Sequence, residues 1–593
     1  MLYCTTRYLI VHISTYLMEH SKKRWLVAPP ITEEFDLELR NFSPILRQIL
    51  FNRGYRTKEN ALSFLGAFPP PGNDPENLLG LSLAVDRIWW AIKKQEPIAI
   101  YGDYDADGVT ATALLTQALQ CLGANVEYYI PNRFDEGYGL NTDAIDTLHG
   151  SGTKLIITVD CGIRSIYEAE HAQKLGLDLI ITDHHQPGAQ IPPARAVINP
   201  KQPGDSYPDK DLAGVGLAYK LMEALFIQKV KLEPSDGDFL EASDYLDLVA
   251  LGTVADLVPL VNENRSLVRA GIEYIRTPNR QGVMSLIGAA QLIAKDITSE
   301  NISYMLAPRL NAAGRLDSAL NALKLLLTRD VTEAAYLAQS LDNQNRERQQ
   351  ITRDIQAKAG EIAMSEDPEA FLLFADDESF NPGVIGLAAS KLCEQYYRPA
   401  IVAHRGEVNT RGSCRSIPEF HITDALDECS DLLVRHGGHA AAAGFTVQNQ
   451  NLQDLKERIR NIARDKLSKL DLCPELRADA LVLLSDLKPE LINELEHLQP
   501  TGIQNPPASF LSLNAKVTRS KTVGKNNDHL RITVTDGHIT YDAIAFQQGR
   551  WQDNLPPFID LVYSFEINKY NGKTMLQLNV RDLRPAGKQV GNL

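Results

Sequence analysis

The chain has 593 residues, with 60 Lys and Arg against 75 Asp and Glu for a formal charge of −15, 44% hydrophobic and 23% charged residues. That length exceeds one ordinary hydrophobic core and predicts roughly three to five structural units, while the acidic balance excludes a globally basic nucleic-acid binder and confines any such contact to local patches. No apolar run reaches the roughly 18 residues of a spanning helix, and seven cysteines without CxxC spacing argue against structural zinc or a disulfide framework and for a reducing, cytoplasmic setting with no membrane partner.

The opening segment "MLYCTTRYLIVHISTYLMEHSKKRW" has a short apolar stretch broken by His12, Ser14 and Thr15, with only Arg7 ahead of it. A signal peptide needs a basic start and a small-residue cleavage site. The segment is therefore read first as an upstream start assignment, with Met18 as a candidate natural start, and second as a weak membrane anchor.

Three stretches then share one grammar: "EPIAIYGDYDADG" (96–108), "TKLIITVDCGI" (153–163) and "LDLIITDHHQPG" (177–188). Each runs from β-rich apolar residues into polar ones, and the first two continue into helix-like sequence ending at Gly. Short buried strands alternating with helices predict a parallel α/β sheet. Ligands of such sheets sit beyond the carboxyl ends of the strands. That edge would carry Asp103, Asp105, Asp107, Asp160, Asp183, His184 and His185. In "DYLDLVALGTVADLVPL" (244–260), Asp256 is either a helix-end carboxylate meeting water or one more ligand for the same edge.

Farther on, residues 331–366 contain no Pro and no Gly before Gly360, and predict a long connecting helix. "AFLLFADD" and "RPAIVAHR", with "GVIGLAASKLCEQY" between them, predict a second α/β unit. The last stretches ("FLSLNAKVTRS", "LRITVTD", "ITYDAIAF", "IDLVYSFEINKY", "TMLQLNVRDL") alternate with period two and predict a small antiparallel barrel.

Asp and Gly also build solvated turns, so the crowding of Asp103, Asp105 and Asp107 has two readings. The second is a shared cation. Several carboxylates plus imidazole, without thiolate, suit Mn²⁺ or Mg²⁺. Two such ions would clamp a phosphate for in-line attack. No GxxxxGK[ST] or GxGxxG motif lies near these strands, so a nucleotide cradle explains them less well.

"DYDADG", "TVDCG", "DHH" and "ALGTVADLVPL", in that order, resemble the DHH phosphoesterase superfamily. "YYIPNRFDEGYGL", "LAGVGLAYKL", "PRLNAAGRL", "RGSCRSI" and "GGHAAAAGF" extend the resemblance to the RecJ family of single-stranded-DNA exonucleases, from about residue 45 onward. The resemblance implies two α/β domains, a DHH domain at 81–330 and a DHH-associated domain at 367–465, joined by the helix at 331–366. An N-terminal extension and helical segment (1–80) precede them and an OB-fold-like barrel (466–593) follows. It implies a 5′-to-3′ single-stranded-DNA exonuclease of recombination and repair, using two Mn²⁺ or Mg²⁺ ions. Asp103, Asp105, Asp107, Asp160, His184 and Asp256 would hold the metals, with Asp160 as the bridge. His185 would act near the scissile phosphate, and Asp183 would orient an imidazole. A single-stranded-DNA-binding protein and a recombination helicase are the implied protein partners. The alternatives are a phosphodiesterase of short oligonucleotides or cyclic dinucleotides, and a catalytically inactive replication scaffold.

The substrate track is expected in the basic stretch 515–531, which could also be a solvated hairpin, and at Arg133, Arg309, Arg315, Arg411, Ser413, Arg415 and His439. "HRGEVNTRGSCR" (404–415) reads as a Gly-containing loop suited to a terminal phosphate. Three positions depart from the pattern. Tyr101 stands where some superfamily members place a metal-ligand histidine, Asn381 stands where a histidine is expected, and "LQPTGIQNPP" replaces a "PFGxGNP" form.

Overall fold

The structure, a computed structural model, describes residues 23–132, 136–137, 139–232, 241–570, 573–587 and 591–592. The reading of the first 18 residues and the Arg133 assignment lie outside these. The chain divides into two compact units: Ile31–Asn345 with Lys488–Ala508, and Met1–Pro30 with Arg346–Leu487 and Ser509–Leu593.

The first unit is built on five parallel strands: β1 (Ile98–Gly102), β2 (Val126–Tyr129), β3 (Leu155–Val159), β4 (Asp178–Thr182) and β5 (Ala196–Ile198). Their order is β2-β1-β3-β4-β5. In β1, Ile98 and Ile100 enter one core while Ala99 and Tyr101 enter the other, as the two-residue period of a strand requires. Both faces are buried, which is why the strands read as unbroken apolar runs. Strand order reverses between β1 and β3, and the carboxyl ends there are where such sheets bind ligands. Helices α1 (Ala106–Cys121), α2 (Gly214–Leu232) and α3 (Leu246–Ala255) pack on one face, followed by α4 (Ala307–Leu316).

The segment around "LQPTGIQNPP" is held by a buried guanidinium. Arg265 donates to the carbonyls of Phe64, His497, Leu498 and Pro500, and Asn505 Nδ2 donates to those of Leu498 and Pro500. Helix α5 (Val331–Glu366) spans the expected connecting stretch.

The second unit carries a mixed sheet of β6 (Leu373–Asp377), β7 (Ala400–Arg405), β8 (Asn409–Arg415), β9 (Leu433–His439) and β10 (Ala442–Gln448), ordered β9-β10-β8-β7-β6. Helix α6 (Ile385–Tyr396) joins parallel β6 and β7; the other pairs are antiparallel. Residues 409–415, expected as a loop, are therefore a central strand. Gly412 is required there because a Cβ would meet the Phe445 ring at 2.2 Å.

The barrel comprises β11 (Phe510–Val523), β12 (His529–Thr535), β13 (Thr540–Ala545), β14 (Phe558–Tyr570) and β15 (Lys573–Pro585). It is ordered β11-β12-β13-β15-β14, with β14 returning to pair β11 and close it. This is the five-stranded OB arrangement. A small parallel sheet of Arg24–Val27, Glu475–Ala478 and Gly591–Asn592 adjoins it. There Trp25 packs with Leu511 and Val562 and donates to Asp582 (2.8 Å). Among the described residues, no helix is long and apolar enough to cross a membrane.

Candidate metal centre

The carboxyl ends of β1, β3 and β4 deliver their polar residues to one place. After β1, Asp105 caps α1: its Oδ1 accepts the Asp107 and Gly108 amides at 2.9 and 3.2 Å. Asp107, in the first turn of α1, is held from the opposite side. The amides of Gly214 and Val215, opening α2, donate to its Oδ2 and Oδ1 at 2.7 and 2.8 Å. At the end of β3 the backbone of Asp160 turns through φ 62°, a conformation rare outside glycine and found at functional sites. Beyond β4 come Asp183, His184 and His185. Asp256 caps the C-terminus of α3, where the helix dipole disfavours a negative charge, so a carboxylate at this point calls for a cationic partner.

His184 Nε2 lies 3.1 Å from Asp160 Oδ1, 3.4 Å from Asp256 Oδ2 and 3.9 Å from Asp107 Oδ2. Three sets of donor atoms each fit within 4.8 Å: Asp160, His184 and His185; Asp107, His184 and Asp256; Asp103, Asp105 and Asp160. Asp160 and His184 each belong to two sets, and Asp103, Asp107, Asp160 and His184 are all buried. Asp183 stands behind the histidines. Its Oδ1 bonds the His185 amide (3.0 Å) and ring Nδ1 (2.8 Å), and its Oδ2 accepts the Ile163 amide (2.9 Å).

Burial, reinforced by Asp105, pushes Asp107 up to about 7, against the pull of the Val215 and Gly214 amides. Burial with Asp107 and Asp105 pushes Asp256 up to about 9. Burial and four neighbouring carboxylates hold Asp160 well above the carboxylate range. His184 is depressed to about 3 by burial and by His185, and so is neutral. Burial alone would lower His185, but the Asp183 bond raises it.

The residues fit hard divalent cations. Asp160 Oδ1 and both ring nitrogens of His184 are buried without a hydrogen-bond partner, a costly condition that metal ligation relieves for the carboxylate oxygen and for the unprotonated ring nitrogen. The donors are carboxylate oxygens and imidazole with no thiolate, the chemistry of Mn²⁺ or Mg²⁺ rather than of a closed zinc site. Because Asp107 and Asp256 titrate upward, the metal-free cluster carries protons that a cation must displace. Mn²⁺ binding is therefore expected to release protons and to tighten as pH rises from about 6 to about 9. Calorimetry in buffers of different ionisation enthalpy measures the release; heats independent of buffer would contradict it. The same raised values act on folding in the opposite sense. These two carboxyls contribute stability that is full below about pH 4 and is lost as pH rises through their raised values, unless a cation is bound.

The other assigned residues lie as follows. Arg309 on α4 pairs with buried Asp342 (2.8 Å). Arg315 follows Gly314, whose added Cβ would stand 2.6 Å from the Tyr104 carbonyl, so this turn of α4 lies against the Asp103–Asp107 loop. In the second unit, strand register places Arg411, Ser413 and Arg415 of β8 in rows with Thr446, Gly444 and Ala442, and His439 of β9 opposite Ala442. These four share one face of the sheet. Arg415 bonds Ser413 Oγ (3.2 Å) and the Cys414 carbonyl (2.8 Å) and passes close to Gly386 of α6. Arg405 is committed to Asp376. Tyr101 points into the opposite core, donating to the Gly139 carbonyl (3.0 Å) and stacking on Tyr129. Asn381 accepts the Gly383 amide (2.8 Å) in the turn before α6.

Sequence reasoning missed the clamp on Asp107 and the role of Asn311, whose Oδ1 accepts the Ala106 amide (2.7 Å). Backbone donors leave no side-chain signature. The available signal was "GVG" opening a helix, since helix N-termini gather anions.

The chain matches the DHH family, N-terminal domain, over residues 97–253, the DHHA1 domain over 369–465 and the RecJ OB domain over 478–582. It is 39% identical over 579 residues to the single-stranded-DNA-specific exonuclease RecJ of Bacillus subtilis (strain 168), covering 97% of this chain and 72% of that protein. It is similar to the crystal structure of RecJ in complex with Mn²⁺ from Thermus thermophilus (TM-score 0.80, 31% identity, 96% of this chain and 80% of that one). It is similar also to the corresponding Mg²⁺ complex (TM-score 0.75, 29% identity, 95% and 79%).

Proposed function

The chain belongs to the RecJ family of single-stranded-DNA-specific exonucleases, and from that premise we propose that it degrades single-stranded DNA from the 5′ end, with Asp160 shared between two divalent cations. It is a metal-dependent phosphodiester hydrolase with an OB domain. The observation that carries the site assignment is the overlap of three donor sets on Asp160 and His184 at the sheet's switch point. When bound, the cations supply Lewis-acid polarisation of the phosphate and lower the pKa of the attacking water.

The chain's own residues set the geometry for that chemistry. Asp103, Asp105, Asp107, Asp160, His184 and Asp256 would hold the cations. Neutral His184 can ligate without losing a proton. His185 has a half-exposed ring anchored by Asp183 through Nδ1, and Nε2 is the atom that would donate to a phosphoryl oxygen or to the leaving 3′ oxygen. Positive residues on the outer barrel face form a backbone track. Lys521 lies across from Arg531 on neighbouring strands, with Arg519 one row along, and exposed Phe546 meets His529 edge-on at 5.2 Å. Charge beside a stacking surface suits a single strand. It also weighs against the reading as a diesterase of short substrates, which has no use for a barrel. The six described cysteines are all free thiols, which is in keeping with a cytoplasmic site of action.

The 5′ polarity rests on end recognition. A terminal phosphate carries more charge than an internal diester, and guanidinium groups hold it by paired, charge-assisted bonds. Arg415, beside Ser413 on the face shared with His439, is the proposed anchor. Arg415→Ala is expected to lower kcat/KM more on 5′-phosphorylated than on 5′-hydroxyl strands, by about 1.5–3 kcal/mol for one lost charge-assisted contact. An equal fall on both substrates, at fixed salt, would remove the terminal-phosphate pocket.

A further inference from the structure

The stretch Asn199–Asp211 runs beside the metal edge and supplies none of the proposed ligands. Two of its side chains nonetheless end on the peptide that carries both histidines. Asn199, fully buried, donates from Nδ2 to the His185 carbonyl (2.9 Å), while its Oδ1 accepts the Lys201 amide (2.8 Å). Lys201 Nζ donates to the His184 carbonyl (2.9 Å) and lies 3.6 Å from Asp211 Oδ1. Asp211 in turn stands three residues before Gly214, whose amide grips Asp107. One ammonium therefore spans the loop presenting His184 and the loop clamping Asp107.

The placement is costly for a cation site. A fixed positive charge beside a cluster that must bind divalent cations repels them. A lysine there needs a compensating task, and its bonds show one. Ligand-bearing loops bind metal well only when their backbone is already fixed, and the groups that fix them matter almost as much as the ligands.

We propose that Asn199 and Lys201 are positioning residues of the metal centre, tying the His184–His185 peptide to the loop that holds Asp107. The inference rests on the metal-site reading above. On this basis the positioning gain of Lys201 outweighs its charge repulsion.

The test uses the full chain and two readouts: Mn²⁺ affinity, from the electron paramagnetic resonance of free Mn²⁺, and kcat and KM on single-stranded DNA. Lys201→Met is expected to weaken Mn²⁺ binding at least ~10-fold and to lower kcat, leaving KM for DNA unchanged. Lys201→Arg, which keeps both donor and charge, restores affinity to within a few-fold. Asn199→Ala removes the other tie and is expected to weaken Mn²⁺ in the same direction, so the proposal stays testable if Lys201→Met fails to fold. Tighter Mn²⁺ binding by Lys201→Met would show that the ammonium acts only by repulsion and would overturn the proposal. A raised KM with unchanged Mn²⁺ affinity would make Lys201 a phosphate contact instead and would also overturn it. Wild-type protein that binds no Mn²⁺ would sink the metal-site reading itself, a result distinct from either.

Discussion

Asp160→Asn is expected to lower turnover on single-stranded DNA by at least ~10³-fold while sparing the fold, the scale on which loss of a central electrostatic group acts. Asp160 belongs to two of the three donor sets, and its buried Oδ1 has no hydrogen-bond partner. Asn keeps the size and accepts the positive φ of this position, but it supplies no anionic ligand. Stability should move the other way. Burial and neighbouring carboxylates already raise the pKa of Asp160, so its ionised form costs the metal-free protein stability at neutral pH. The variant should therefore melt, in chelator, no lower than wild type. Near-normal rates in Mn²⁺ from well-folded variant protein would end the assignment of Asp160 as the shared ligand.

The second large effect comes from one methyl group. In Gly214→Ala the new Cβ would lie 2.7 Å from Asp160 Cβ, 2.9 Å from Asp160 Oδ1 and 3.0 Å from Asp107 Oδ2. The backbone there accepts Ala, so the cost falls on the carboxylates, which must move. A displacement on the order of 1 Å can lower a catalytic rate about 10²-fold, and that is the expected fall in kcat. Gly216→Ala, one helical position pair along, is the control. Its Cβ meets only Leu212, at 3.5 Å. It should retain activity and gain roughly 0.5–1 kcal/mol from the helix preference for Ala over Gly. Wild-type kcat in Gly214→Ala would show that the packing around Asp107 and Asp160 has slack and does not set their positions.

Much of this site could be read from sequence because strand ends carry it. The runs before Asp103, Asp160 and Asp183 became β1, β3 and β4, continuous apolar segments whose two faces are both buried. The short strands β2 and β5 were not marked, since three or four residues leave little periodicity. The barrel's alternation was legible because one face of each strand meets solvent. The pairing of Arg24–Val27 with Glu475–Ala478 was not, because partners that far apart in the chain leave no local pattern. The partner of Arg309 was hidden for a like reason, since Asp342 lies 33 residues on, within α5. The clamp on Asp107 and the ties on the histidine carbonyls are made to backbone groups, which every residue carries alike.

Crystals of the full chain grown with Mn²⁺, measured at wavelengths on either side of the manganese absorption edge, locate the metal directly by anomalous difference density. The predicted result is two manganese peaks at the carboxyl edge of β1, β3 and β4, with Asp160 contacting both and His184 contacting at least one. Density for manganese elsewhere, or an ordered cluster of Asp107, Asp160, His184 and Asp256 without any manganese among them, would contradict it.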